Sequence, residues 1–119
     1  MKRRIAAFKY AFQGIVLGFK SEFHLKVHVF LASLAAAAGW FFEISKTEWM
    51  LVLLCMALVI SAELFNAAIE CLANRITVEK DPLIGAAKDL AAGAVLITAI
   101  ISLVIGLIIF IPHIWLLIS

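Results

Sequence analysis

An uninterrupted run of 22 residues without a charged side chain, Leu90 to Ile111, limits what this chain can fold into. About 20 apolar residues are enough for a helix to cross the hydrocarbon core of a bilayer. Two further segments, Phe23–Phe42 and Trp49–Ala73, are nearly as apolar. Of the 119 residues, 66% are hydrophobic and 15% are charged, which is more apolar surface than so short a chain could bury in water. The sequence therefore excludes a cytosolic enzyme, a secreted disulfide scaffold and a disordered tail. It predicts an all-α integral membrane protein with a single domain, residues 1–119.

The first 20 residues have the pattern of an amphipathic helix rather than of a membrane span. Large apolar residues recur every three or four positions, and basic residues occupy much of the remaining surface; the apolar set is Ile5, Phe8, Phe12, Ile15 and Phe19. This pattern is typical of a helix that lies in the membrane interface, with its basic residues toward anionic headgroups. A mitochondrial-type targeting helix is the alternative interpretation.

Local capping signals set the limits of three membrane-spanning helices, which are predicted at 23–42, 48–74 and 82–111. Ser21 is expected to cap the first of them. Ser45 and Glu48 have the spacing of a capping box at the start of the second. Asp81 followed by a proline is a favourable start for the third, and Pro112 is expected to end it.

The basic residues predict how the chain is oriented. Five of them precede the first span, and the 74–89 loop contains three; the segment between the first two spans has only Lys46, and none follows the third span. Because cytoplasmic segments are enriched in Lys and Arg, the N-terminus and the 74–89 loop are predicted to be cytoplasmic and the C-terminus external. The net charge of +2 is too small to indicate nucleic-acid binding.

Two acids and an amide lie on one face of the second span. Glu63, Asn66 and Glu70 fall within about 60° of one another on a helical wheel. Because a carboxylate at mid-bilayer costs about 2.5–3.5 kcal/mol, these residues need a compensating role. Either they form a site that is reached from the cytoplasmic side, or they make hydrogen bonds between helices.

The same cytoplasmic level is expected to receive Glu22 from the start of the first span and the Lys88-Asp89 pair from the start of the third. Carboxylates suit Mg²⁺, which usually takes one or two of them together with phosphate oxygens. Lysine suits phosphate, so the set indicates phosphoryl transfer, although no Walker A or kinase glycine-rich motif is present.

His24 and His28, at i and i+4, are interpreted as interfacial residues, with a metal pair as the alternative. His113 beside Pro112 is interpreted as the end of a span.

The run E-L-F-N-A-A-I-E from Glu63 to Glu70, followed by Arg75 and by A-K-D at 87–89, resembles the small prokaryotic lipid kinases. These are the integral-membrane diacylglycerol kinases and undecaprenol kinases. The resemblance covers essentially the whole chain, including F-K-Y-A-F-Q-G at 8–14 and Glu22.

That resemblance implies a homotrimer of three-span subunits in a bacterial inner membrane, each with an N-terminal surface helix and with active sites between subunits. It implies that ATP and Mg²⁺ enter from the cytosol and that the γ-phosphoryl group passes to a lipid hydroxyl. Glu63 would be the general base, Asn66 would orient the hydroxyl, and Glu22 and Glu70 would bind the metal. The positions that resemble the family's nucleotide-binding residues are Arg3, Tyr10, Glu22, Glu70, Glu79, Lys88 and Asp89.

The chain departs from the pattern of the enteric diacylglycerol kinases at two positions. Asn74 and His28 each stand where those enzymes have an acid. Lys26 followed by His28, and the A-A-G-A-V run at 91–95, are closer to the undecaprenol kinases, which favours undecaprenol over diacylglycerol as the acceptor.

Two other function classes compete with the kinase. In a small ion or proton channel, Glu63 and Glu70 would be part of a relay, but the outer half of the second span has only Cys55 and Ser61 as polar groups. A structural or regulatory subunit would leave the acidic face without a role unless a basic partner helix packs there.

Overall fold

The computed structural model describes residues 1–119 and consists of four α-helices and no strand. They are α1 (Lys2–Ser21), α2 (Phe23–Phe41), α3 (Lys46–Ile76) and α4 (Pro82–Ile118). By length and composition, α2, α3 and α4 could each cross a membrane. The prediction of an all-helical chain with three candidate spans is therefore confirmed.

The break between α1 and α2 lies one residue later than predicted. The Ser21 hydroxyl donates a 2.6 Å hydrogen bond to the Leu17 carbonyl oxygen and belongs to the last turn of α1. Its hydroxyl is thus occupied within α1, and the prediction that Ser21 caps α2 is wrong. Glu22 has an extended backbone and is the N-cap residue, without a capping hydrogen bond from its side chain.

The predicted caps of α3 and α4 are confirmed by their hydrogen bonds, although α3 begins at Lys46 rather than at the predicted residue 48. Ser45 Oγ accepts from the Glu48 amide at 3.1 Å, and a Glu48 carboxylate oxygen accepts from the Ser45 amide at 2.9 Å. Asp81 Oδ1 accepts from the amides of Leu83 and Ile84, at 2.9 and 3.0 Å. Three side-chain acceptors thus satisfy amides that would otherwise lack a partner at these helix starts.

The prediction that α4 ends at Ile111 is wrong, because the helix continues through Pro112 to Ile118. Proline removes one amide donor, but apolar helices tolerate this where neighbouring groups hold the segment. His113 supplies such a contact: its Nε2 atom lies 3.3 Å from both carboxylate oxygens of Glu48, at the start of α3. The His113 ring also packs against Phe42, with 5.9 Å between ring centroids.

Few side chains are buried within one chain, and α3 contacts all three other helices. At the end of the bundle where α2 joins α3, Ile44, Val52 and Ile109 form the core cluster. Toward the other end, α1 is buried only at Gly18, where it meets Leu25 of α2 and Leu64 of α3. The remaining apolar side chains of α2, α3 and α4 are largely exposed.

Candidate functional site

Glu63 is the one buried charged side chain, with 7% of its surface exposed. It lies near the middle of α3, on the side that packs against α2. The His28 Nε2 atom of α2 lies 3.1 Å from Glu63 Oε1. A carboxylate removed from water needs such a partner, so the helix pairing of α2 with α3 provides the contact that makes burial of Glu63 tolerable.

Asn66 and Glu70 continue the same face of α3 and contact each other. Asn66 Nδ2 donates to Glu70 Oε1 at 3.4 Å, a contact between residues one helical turn apart. The other amide atom, Asn66 Oδ1, is buried and has no hydrogen-bond partner. Since buried carbonyl oxygens are nearly always satisfied, this oxygen is an acceptor left available for a ligand.

The start of α4 is tied to the end of α3 by a polar contact. Lys88 Nζ donates a 2.6 Å hydrogen bond to Asn74 Oδ1. The next residue, Asp89, is exposed and makes no side-chain contact of this kind. The partner of Lys88 is a neutral amide, so the lysine keeps its charge available for an anion.

The other predicted nucleotide residues make no ion pair with Glu63. Arg3 and Tyr10 are exposed on α1, Glu79 is exposed in the loop before α4, and Glu22 is half-buried between α1 and α2. None of these four side chains is in an ion pair, and only His28–Glu63 and His113–Glu48 pairs occur in the chain. One chain thus assembles the Glu63 end of the candidate site and leaves the nucleotide residues unpaired.

The oxygen donors fit a magnesium site that is shared with phosphate rather than one made by protein alone. No group of three or more His, Cys, Asp or Glu side chains is close enough to hold a metal ion. Glu70 and the unpaired Asn66 Oδ1 nevertheless offer hard oxygen ligands side by side. Mg²⁺ typically takes one or two carboxylates and completes its shell with water and substrate phosphates, which matches this donor set.

The role of His28 was missed at the level of sequence. His24 is exposed and packs edge-on against Phe23, with ring centroids 6.0 Å apart, while His28 turns toward Glu63. The two histidines are therefore not equivalent. The available signal was limited to a titratable ring inside one apolar span and an acid inside another.

Comparison with known proteins adds independent findings. The family model described as prokaryotic diacylglycerol kinase matches residues 9–110. An undecaprenol kinase of Bacillus subtilis is 39% identical over 112 residues, covering 94% of this chain and 91% of its own length. A diacylglycerol kinase of Haemophilus influenzae is 35% identical, covering 86% and 87%. The diacylglycerol kinase of Escherichia coli K12 is 28% identical, covering 93% and 91%.

Proposed function

Because this chain belongs to the prokaryotic diacylglycerol kinase family, we propose that it transfers the γ-phosphoryl group of ATP, with Mg²⁺, to the hydroxyl of a membrane lipid alcohol. The observation that most supports this reaction is the buried Glu63 carboxylate, followed on the same helix face by the contacting pair Asn66 and Glu70. A base, an orienting amide and a metal-binding acid are the groups that phosphoryl transfer to an alcohol requires.

In this mechanism Glu63 accepts the hydroxyl proton while the hydroxyl oxygen bonds to the γ-phosphorus. Asn66 orients the hydroxyl, for which the second hydrogen of Nδ2, the atom that contacts Glu70, can donate to the hydroxyl oxygen. Glu70 and Glu22 would hold Mg²⁺, which supplies charge neutralisation on the phosphate oxygens. Lys88 holds a phosphate as a point charge, and the remaining nucleotide contacts are assigned to Arg3, Tyr10, Glu79 and Asp89.

A homotrimer with sites shared between subunits is part of this proposal, as the family resemblance implies, and what one chain leaves incomplete supports it. The proposed nucleotide residues have no ion-pair partner within the chain, and most apolar surface of the three long helices is uncovered. Packing between copies would cover part of that surface and bring one copy's exposed residues to another's Glu63. The N-terminus and the 74–89 loop are assigned to the cytoplasmic side of the inner membrane, as the distribution of Lys and Arg favours. In that orientation α1 lies on the membrane surface.

Undecaprenol is the preferred acceptor in this proposal, with diacylglycerol as the alternative. The preference is supported by the higher identity to the undecaprenol kinase, 39% against 35% and 28% for two diacylglycerol kinases. It is supported also by Lys26, His28 and the 91–95 run, which resemble the undecaprenol branch. An ion or proton relay is supported less well, since the groove beyond His28 is lined mostly by apolar side chains.

The test is phosphorylation by the purified protein in mixed micelles, with radiolabelled Mg-ATP and either undecaprenol or diacylglycerol. We expect phosphate incorporation into both or one, with the higher kcat/KM on undecaprenol. Glu63→Gln is expected to lower kcat by about 10²–10⁴-fold, the usual contribution of a general base. Glu43→Gln, an exposed acid in the α2–α3 turn, is the matched control and should retain activity. A fully active Glu63→Gln protein would remove the mechanism, and a higher kcat/KM on diacylglycerol would reverse the acceptor preference.

A further inference from the structure

The carboxylate that acts as the base in the proposed function has one side-chain partner, His28. The two residues come from different helices, and His28 Nε2 lies 3.1 Å from Glu63 Oε1. An ionised carboxylate accepts hydrogen bonds and cannot donate them, so the hydrogen between the two atoms belongs to the imidazole nitrogen. Glu63 Oε1 is thereby occupied, while no contact of this kind is made to Glu63 Oε2.

The other surroundings of His28 offer no competing charge. His28 lies at one end of an apolar groove of about 570 Å³ between α2, α3 and α4. Among the other residues that line this groove, only Cys55 of α3 and Ser102 of α4 have polar side chains. Glu63 is also the only acid within ion-pair distance of the ring. The His28 ring therefore has no ion-pair partner other than Glu63, and 20% of the His28 side chain is exposed.

Resting on the proposed function, we propose that His28 is the positioning residue for the general base: its Nε2–H fixes Glu63 Oε1 and leaves Oε2 to take the proton. In the reaction the lipid hydroxyl oxygen bonds to the γ-phosphorus, and the bond from phosphorus to the β–γ bridging oxygen breaks. The electron pair of that bond leaves with ADP, and the hydroxyl proton goes to Glu63 Oε2. His28 neither forms or breaks a covalent bond nor gains or loses a proton. It affects the reaction only by orienting the Glu63 carboxylate.

A purely structural role for His28, as a contact that joins α2 to α3, predicts a different pattern among variants. His28→Gln keeps an N–H donor at a similar reach from the backbone, and His28→Leu removes the donor while keeping an apolar side chain of moderate size. His24→Leu is the matched control, since His24 lies one turn away on α2, is exposed and has no ion pair. Glu63→Gln is measured in the same assay, so that the base itself is tested separately.

Steady-state kinetics with Mg-ATP and the better of the two lipid alcohols test the proposal. His28→Leu is expected to lower kcat about 10- to 100-fold with KM for ATP within twofold of the parent, because misaiming a reacting group by about 1 Å costs that much. His28→Gln is expected to retain kcat within about fivefold, and His24→Leu should match the parent.

Each outcome decides between the possibilities. Parent-like kcat in His28→Leu overturns the positioning role while Glu63→Gln still reports on the proposed function. If His28→Leu does not fold, as judged by its elution in detergent, the activity of His28→Gln becomes the test of the proposal. A folded but inactive His28→Gln protein overturns it. A rise in KM for ATP with unchanged kcat places His28 at the nucleotide instead and also overturns it. If the parent protein phosphorylates neither lipid, the proposed function itself is refuted.

Discussion

Adding one methyl group at Gly18 is expected to loosen α1 from the bundle. A Cβ atom there would lie 2.6 Å from Leu64 Cδ2 and 3.0 Å from Leu25 Cδ2. The closer contact falls about 0.8 Å short of the 3.4 Å at which ordinary van der Waals contact begins. Leu25 is 1% exposed and Leu64 is half-buried, so the strain acts mainly on Leu64 and on α1 itself. Overpacking of this kind costs about 1–3 kcal/mol.

Gly14→Ala isolates that steric cost. Gly14 lies one turn earlier on α1, and a Cβ atom there would meet nothing within 4 Å. Both substitutions gain the same helix propensity, about 1 kcal/mol of Ala over Gly, so this contribution cancels when the two variants are compared. The difference between them is therefore the 1–3 kcal/mol of steric strain, which corresponds to about a 5- to 150-fold change in the population with α1 undocked.

Limited proteolysis measures this difference directly. Trypsin cleavage after Lys20, at the C-terminal end of α1, tracks the open population when opening and closing are fast relative to cleavage. We expect Gly18→Ala to be cut about 5- to 150-fold faster than Gly14→Ala in detergent micelles, as followed by mass spectrometry of the released segment. Equal cleavage rates would show that α1 does not dock through Gly18 and would refute the packing argument.

Two further predictions concern the nucleotide end of the proposed site. Glu70→Gln should raise the Mg²⁺ concentration for half-maximal activity by about tenfold or more, because it removes one of the few carboxylates available to the ion; an unchanged Mg²⁺ requirement would exclude Glu70 as a ligand. Lys88→Met should raise KM for ATP by about tenfold with a smaller change in kcat, because it removes a positive charge that a phosphate would contact. The control is Lys46→Met, at the start of α3 and far along the chain from the Asn74 that contacts Lys88, which should give the parent values.

The parts of the fold that could be predicted from sequence depend on residues close together in the chain. The capping box at Ser45 and the Asp81 cap each involve residues at most three apart, so their hydrogen bonds can be read from spacing alone. The candidate spans likewise follow from local composition. The shared face of Asn66 and Glu70 follows from the helical repeat, and the two side chains are in contact.

The parts that could not be predicted depend on contacts between helices. By its local sequence, Pro112 predicts the end of a helix. In the structure α4 continues past it, and His113 contacts Glu48, which is 65 residues away in the chain. His28 and Glu63 meet because α2 packs against α3, and no spacing rule relates residues on separate spans. Such pairings require knowledge of which helix faces pack, and an apolar helix with little amphipathic pattern does not reveal its packing face.

The two positions at which the chain departs from the enteric pattern both contact residues of the proposed site. His28 faces Glu63, and Asn74 faces Lys88. An acid at position 28 would place a second negative charge about 3 Å from the proposed base, whereas histidine supplies a hydrogen-bond donor to it. An acid at position 74 would partly neutralise Lys88, whereas the asparagine oxygen holds the lysine without removing its charge. Both residues therefore make the site less negative than acids at these two positions would.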